Sequence, residues 1–231
     1  ADAGVMVTAS HNPPQDNGYK VYLGGLAVSD SGQGAQIVPP YDTQIAQAID
    51  AVGPIASVPR PQAGWETVDP AIREEYIERA AQAARMKAPA PVRIVLTAMH
   101  GVGGATCREV LARVGFTDVV EVTEQFEPDP DFPTVAFPNP EEPGALDLAL
   151  DKAREVEADL VIANDPDADR CSAAVPDADA PGGWRQLTGD EVGALLGEQA
   201  AELAAFAGNG VLACSVVSSR LLRRIAQSHG L

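Results

Sequence analysis

An α/β fold with mixed or parallel sheets flanked by helices follows from three features of the sequence. Short, continuous apolar runs at residues 92–96 and 160–163 have the length and composition of strands buried on both faces. Between them lie segments with helical spacing: Cys107, Val110, Leu111 and Val114, then Leu146, Ala149, Leu150 and Ala153. Finally, 231 residues of which 45% are apolar supply enough side-chain volume for real cores. Strands separated by helices imply a parallel sheet with helices on both of its faces.

Along the chain, strands are predicted at residues 5–7 and 19–23 and a helix at 41–52, too little to close a core alone. A Pro-rich stretch at 54–61 reads as a linker. Asp69-Pro70 then opens a helix, the aspartate as cap and the proline in its first turn, with Ile72, Tyr76 and Ala80 recurring on one face. The strand at 92–96 and its helix follow, then a strand at 119–122. Residues 125–143 hold too many prolines for a helix and are expected to cross the surface as a loop. After the helix around 146–153 and the strand at 160–163, a Gly/Pro/Asp-rich hairpin signal at 176–183 closes this unit. Thr188 and Glu191 have capping-box spacing and start a helix whose apolar side is Val192, Leu195, Leu196 and Leu203. A strand at 211–217 and a helix bearing Leu221, Leu222 and Ile225 are expected to open a further α/β domain. The start at Ala1, close to a strand, and the stop at Leu231, just after a helix, read as ends cut from a longer protein.

Charge and cysteine usage exclude several functions. Sixteen Lys plus Arg against 33 Asp plus Glu leave a net charge of -17, which repels nucleic-acid backbones and anionic membranes. Cys107, Cys171 and Cys214 are odd in number and far apart, which argues against a disulfide scaffold or a thiolate zinc site and for a reducing, cytoplasmic setting. Cys107 and Cys214 lie on apolar elements and are expected to be core thiols. No run approaches the ~18 apolar residues of a membrane span.

The strongest chemical signal is the segment Asn164-Asp165-Pro166-Asp167-Ala168-Asp169-Arg170, directly after a predicted buried strand. Loops at the carboxyl ends of parallel strands are where open α/β sheets bind ligands. Three carboxylates at alternate positions suit a hard cation, Mg or Ca, whose charge relieves their mutual repulsion. An EF-hand needs Gly at its sixth position and Glu at its twelfth, and here those are Arg170 and Pro176. A guanidinium beside a cation suggests that the site also holds a phosphate. The second signal is Thr8-Ala9-Ser10-His11-Asn12-Pro13 with Asn17-Gly18-Tyr19-Lys20 behind it. Ser10 could act as a nucleophile with His11 and Lys20 as proton-transfer or phosphate-binding groups, or the segment could simply be turn chemistry. His100-Gly101-Val102-Gly103-Gly104 is a partial dinucleotide fingerprint with Thr106 in place of its last glycine. The alternative is a tight strand-to-helix turn packed against a neighbouring domain.

Taken together, residues 8–13, 17–20 and 165–170, with Asp129 to Val135 and Pro138 to Glu142, resemble the α-D-phosphohexomutase superfamily, in particular its phosphoglucomutase and phosphopentomutase branch. The resemblance implies a multi-domain architecture, incomplete at both ends here. Residues 1–62 would be the last part of domain I, 63–187 domain II, and 188–231 the start of domain III. It also implies a phosphosugar mutase that moves a phosphoryl group between the 1-position and the 6- or 5-position through a phosphoserine and a sugar bisphosphate. Ser10 would carry that phosphoryl group and give an oxygen to Mg, whose other ligands would be Asp165, Asp167 and Asp169. Lys20 would be a general acid or base, and His11 and Arg170 would contact phosphate or sugar; these four also line the substrate. The expected partners are a phosphosugar and a sugar bisphosphate, not nucleic acid or membrane. The chain by itself is expected to lack turnover. The competing readings are an Mg-dependent phosphatase with an Asp nucleophile and a noncatalytic phosphosugar-binding module.

Overall fold

The computed structural model describes residues 1–84, 91–208 and 210–231. These cluster into two units, one of Ala1–Ser10 with Gln15–Tyr76 and one of His11–Pro14 with Ile77–Leu231.

In the first unit, β1 (Ala3–Val7) and β2 (Tyr19–Leu23) form an antiparallel pair with Met6 opposite Lys20 and Val7 opposite Tyr19. Helix α1 (Tyr41–Asp50) follows without a buried residue. The sequence order strand, strand, helix is as expected, and residues 61–70 form no helix or strand.

Helix α2 (Ala71–Ala83) runs across the boundary between the two clusters. Its amino end has the expected chemistry, since the Asp69 carboxylate accepts from the Ala71 N–H at 2.9 Å. The face predicted to be buried is not: Ile72 and Tyr76 are about 60% exposed (58% and 62%), whereas Ile77 is completely buried. Ile77, Ala80, Ala81 and Ala84 form the inward stripe, at the i, i+3, i+4, i+7 spacing that puts four residues on one face.

The second unit is built on a five-stranded sheet in the order β4-β3-β5-β6-β7: β3 Ile94–Thr97, β4 Val119–Glu121, β5 Leu160–Asn164, β6 Cys171–Pro176 and β7 Trp184–Gln186. Strands β4, β3 and β5 are parallel, with Val95 opposite both Val120 and Val161. Helix α3 (Gly104–Val114) makes the crossover from β3 to β4. Helices α4 (Thr123–Phe126) and α5 (Asp147–Glu155) lie in the return from β4 to β5. The two crossovers run in opposite directions along the sheet, so right-handed connections put α3 and α5 on opposite faces.

Of the two expected arrangements, mixed or parallel, the sheet takes the mixed one, because β6 and β7 are antiparallel to their neighbours. Parallel pairing requires a crossover of a dozen or more residues, and residues 165–170 between β5 and β6 are too few for one. The chain therefore reverses at those six residues, and the sheet is mixed.

The core on the α5 side joins Val95 and Val161 of the central strands to Ala149 and Ala153 of α5, with Ala174 and Trp184 extending it over the antiparallel strands. Small alanines on the helix let it approach the sheet closely, while the larger branched residues stand on the strands. The 125–143 segment is more than a surface crossing. It begins in α4, whose Gln125 and Phe126 are buried, and its Pro138 is also fully buried.

Helix α6 (Gly189–Ala207) begins with the predicted capping box: the Glu191 N–H donates to Thr188 Oγ1 at 3.2 Å, and the Thr188 N–H donates to Glu191 Oε2 at 2.8 Å. Its buried side differs from the expected one. Leu195 and Leu196 are exposed, whereas Gly197 and Ala201 are buried. The reason is α7 (Leu221–Ser228), whose Leu222 comes so close that a methyl group on Gly197 would lie 2.5 Å from Leu222 Cδ1.

Residues 211–217 do not form the predicted strand: among the described residues none pairs with them, and a run of Val and Leu is a strand only when a ladder accepts its backbone. Cys214 is accordingly exposed rather than a core thiol, whereas Cys107 is half-buried with its thiol pKa pushed up by burial. No described helix is long and apolar enough to cross a membrane.

Candidate functional site

Strand β5 ends at Asn164, and the chain turns through residues 165–170 into β6. This turn sits at the carboxyl end of the parallel strands, where ligand sites of such sheets form. Ala168 adopts the left-handed conformation at φ 58°, and its N–H donates to the Asp165 carbonyl at 2.9 Å, which curls the loop back on itself. One carboxylate oxygen from each of Asp165, Asp167 and Asp169 then falls within a sphere in which all separations are 4.8 Å or less.

The three are graded in burial. Asp165 is wholly buried, Asp167 half-buried and Asp169 exposed. A buried carboxylate needs compensation, and Arg170 supplies it through three donors. Its backbone N–H donates to Asp165 Oδ1 at 3.0 Å, while Nε and Nη2 donate to Oδ2 at 3.2 and 2.9 Å. Arg170 Nη2 also meets His11 Nδ1, and the His11 ring packs edge-on against Phe137 with centroids 5.7 Å apart. Of the residues predicted for the site, the second unit thus brings together the three aspartates, Arg170 and His11. All the carboxylate donors are hard oxygens, with no thiolate or imidazole in the cluster, a set that fits Mg better than a softer ion.

Ser10 and Lys20 belong to the first unit. Ser10 is half-buried and left-handed at φ 52°, with its N–H donating to Thr8 Oγ1 at 2.8 Å. The strand pairing continues past Val7, where the Thr8 N–H donates to the Gly18 carbonyl at 3.0 Å. Gly18 is required there, because a Cβ would lie 2.4 Å from the Thr8 carbonyl oxygen. Serine and lysine therefore occupy the two arms of one hairpin, Ser10 just beyond β1 and half-buried Lys20 near the start of β2.

Beside the acidic loop, buried Thr97, Gln125 and His100 form a polar network with the exposed Thr134, and no sequence spacing pointed to their pairing. Thr97 Oγ1 donates to Gln125 Oε1 at 2.7 Å, Gln125 Nε2 donates to Thr134 Oγ1 at 2.9 Å, and His100 Nε2 lies 2.8 Å from that same hydroxyl. With its oxygen accepting from Gln125, the Thr134 hydroxyl has a proton to give to a neutral His100. Burial lowers the His100 pKa, opposed more weakly by the Asp129 carboxylate. A histidine depressed in the folded state binds fewer protons there than in the unfolded chain, so its contribution to stability is complete above the unfolded value near 6.5 and shrinks as pH falls below it. His100 is left-handed at φ 61°, a conformation asparagine tolerates. Between roughly pH 7.5 and 5.5 the thermal midpoint of wild type should therefore fall by more than that of His100→Asn, as calorimetric melting at the two values measures.

The glycine-rich turn after β3 packs on the acidic loop of its own unit, with the Val102 N–H donating to the Pro166 carbonyl at 2.9 Å.

Residues 74–180 match the family Phosphoglucomutase/phosphomannomutase, alpha/beta/alpha domain II, and residues 1–53 match domain I of the same family. The chain is 48% identical over 230 residues to the "Probable phosphomannomutase" of Haemophilus influenzae, an alignment covering 98% of this chain and 45% of that protein. It is 38% identical over 250 residues to the phosphopentomutase of Homo sapiens, covering 99% of this chain and 38% of that one. The chain thus spans less than half the length of these curated relatives. A crystal structure of a phosphoglucomutase/phosphomannomutase family protein from Burkholderia thailandensis superposes with a TM-score of 0.71 over the whole chain and 44% of its own length; at 22% identity this speaks to the fold. With domain I and domain II matched in order along one chain, and relatives named for mutases of several sugars, the chain belongs to the α-D-phosphohexomutase superfamily.

Proposed function

We propose that this chain carries the phosphoserine and cation-binding parts of a phosphosugar mutase. The observation that carries the reading is the cluster of Asp165, Asp167 and Asp169 beside Arg170 at the end of β5, in a chain with named mutase relatives. Ser10 Oγ holds the phosphoryl group in the resting protein. A hydroxyl of the sugar phosphate attacks phosphorus, the bond to Ser10 Oγ breaks, and the proton of the attacking hydroxyl passes to a base, for which Lys20 is the candidate. The reverse transfer from the other end of the resulting bisphosphate restores phosphoserine. Mg, when bound, neutralises charge on the phosphoryl group and so makes phosphorus easier to attack.

The aspartates hold the cation, and the buried Asp165 carboxylate accepts from the three Arg170 donors. Arg170 and His11 present donors toward phosphate or sugar oxygens. The division into residues 1–62, 63–187 and 188–231 as parts of three domains belongs to the same proposal, as does a cytoplasmic setting. The substrate class is hexose and pentose phosphates, the range that the names of the relatives span.

The test is the intact mass of the purified protein before and after phosphatase treatment, with the modified residue mapped. Loss of one phosphoryl mass, located to Ser10, is the expected result. A phosphorylated aspartate would instead support a phosphatase, and an unmodified protein that still binds sugar phosphate would support a binding module.

A further inference from the structure

The turn from β3 into α3 is held in an uncommon conformation. Met99 and His100 are both left-handed, at φ 49° and 61°, and neither is a glycine. Four hydrogen bonds pin them: the Met99 N–H to Thr97 Oγ1 at 3.0 Å, the His100 N–H to the Gln125 carbonyl at 2.8 Å, the Asp129 N–H to the His100 carbonyl at 3.0 Å, and the Gly101 N–H to the Ala98 carbonyl at 2.8 Å. The Thr97, Gln125, Thr134 and His100 side chains brace the same turn from beneath. Strain of this kind persists where the surroundings over-determine it, and such a turn is a rigid support.

Two glycines of that support meet the acidic loop. A Cβ on Gly101 would lie 2.3 Å from Pro166 Cα and 2.4 Å from its carbonyl oxygen. A Cβ on Gly103 would lie 2.6 Å from Ala168 Cβ and 3.3 Å from Asn164 Nδ2. Neither glycine is left-handed, Gly103 having φ -80° and ψ -17°, so the backbone conformation would accept any residue. What excludes a side chain is closeness. The residues they touch are the two spacers of the carboxylate cluster: Pro166 separates Asp165 from Asp167, and Ala168 separates Asp167 from Asp169.

We propose that Gly101 and Gly103 are positioning residues of the cation site, setting the spacing of the three aspartates through direct packing on Pro166 and Ala168. The inference rests on the reading of residues 165–169 as an Mg loop. Adding a methyl group at either glycine forces the spacer outward by on the order of 1 Å to recover van der Waals separation. Mg demands near-ideal octahedral geometry, whereas Ca accepts irregular coordination. Displaced spacers therefore weaken Mg more than Ca, a change of selectivity that general destabilisation does not produce.

The experiment is calorimetric titration of the purified chain with MgCl2 and separately with CaCl2, alongside thermal melting in chelator. Gly103→Ala should lose roughly 10- to 100-fold in Mg affinity, as for other groups that orient ligands, and less in Ca affinity. In the double variant Gly103→Ala with Ala168→Gly, the colliding methyl is gone, and glycine suits the left-handed φ of residue 168. Mg affinity should return there to near the wild-type value. Gly101→Ala strikes the Pro166 backbone, so Ala168→Gly should not rescue it. If Gly101→Ala fails to fold, the Gly103 pair decides alone. Wild-type Mg affinity in Gly103→Ala, or a loss that the double variant does not recover, overturns the positioning role while leaving the Mg loop intact. Absence of Mg binding in wild type overturns the Mg loop and this role together.

Discussion

Ser10→Ala should lower sugar-phosphate turnover on the order of 10^4-fold or more, the scale of losing a covalent nucleophile, in any preparation in which the wild-type sequence is active. The phosphoryl mass should disappear from the protein with it. Ser10 donates its backbone N–H to Thr8 Oγ1, and alanine keeps that bond. Its φ of 52° is equally strained for serine and alanine. Ser10→Gly relieves the strain and should raise the thermal midpoint slightly while being just as inactive. The pair separates the hydroxyl from the backbone: substantial turnover in either variant means that Ser10 is not the phosphoryl carrier.

Asp167→Asn should cause the second large effect, and with opposite signs in two measurements. Without cation, three carboxylates whose oxygens lie within 4.8 Å of one another repel, and Arg170 is directed chiefly to Asp165. Removing the middle charge should therefore leave the thermal midpoint in chelator unchanged or higher. In saturating Mg the order should reverse, because a hard ion loses one anionic ligand and the stabilisation by bound ligand shrinks with its affinity. Asp165→Asn should behave differently, lowering stability even in chelator by about 1–3 kcal/mol, since the Arg170 donors around a fully buried carboxylate lose their charged partner. Melting curves of both variants with and without Mg give the comparison. An Asp167→Asn protein with the wild-type Mg shift would remove Asp167 from the cation site.

Much of this molecule is legible without coordinates, and the reasons are local. The apolar runs at residues 92–96 and 160–163 declare buried strands, which fall at Ile94–Thr97 and Leu160–Asn164 with ends shifted by one or two residues. Thr188 and Glu191 announce their capping box through a three-residue spacing, because the reciprocal hydrogen bonds need nothing beyond one helical turn. The acidic loop is likewise visible, since alternate carboxylates after a buried strand are costly without a cation. Ser10, His11, Lys20 and Arg170 are singled out by the resemblance of their motifs to one family, and their roles belong to the proposal.

Tertiary structure decided the rest. Tyr76 and Ile77 are equally plausible inward residues of α2 by periodicity, and only the neighbouring elements select Ile77. Leu195 and Leu196 would suit a core, yet α7 approaches over Gly197 instead. The valines at 211–217 have strand propensity and, among the described residues, no ladder to join. His100 and Gln125 look unrelated in sequence but meet at one hydroxyl, that of Thr134. Gly101 and Gly103 suggest a phosphate cradle until Pro166 and Ala168 are found against them, more than sixty residues away along the chain. Periodicity and capping are properties of a few consecutive residues, set by backbone geometry and side-chain chemistry that the sequence states directly. Contacts between distant residues depend on which of several apolar faces packs most closely in the folded whole, and no single segment contains that comparison.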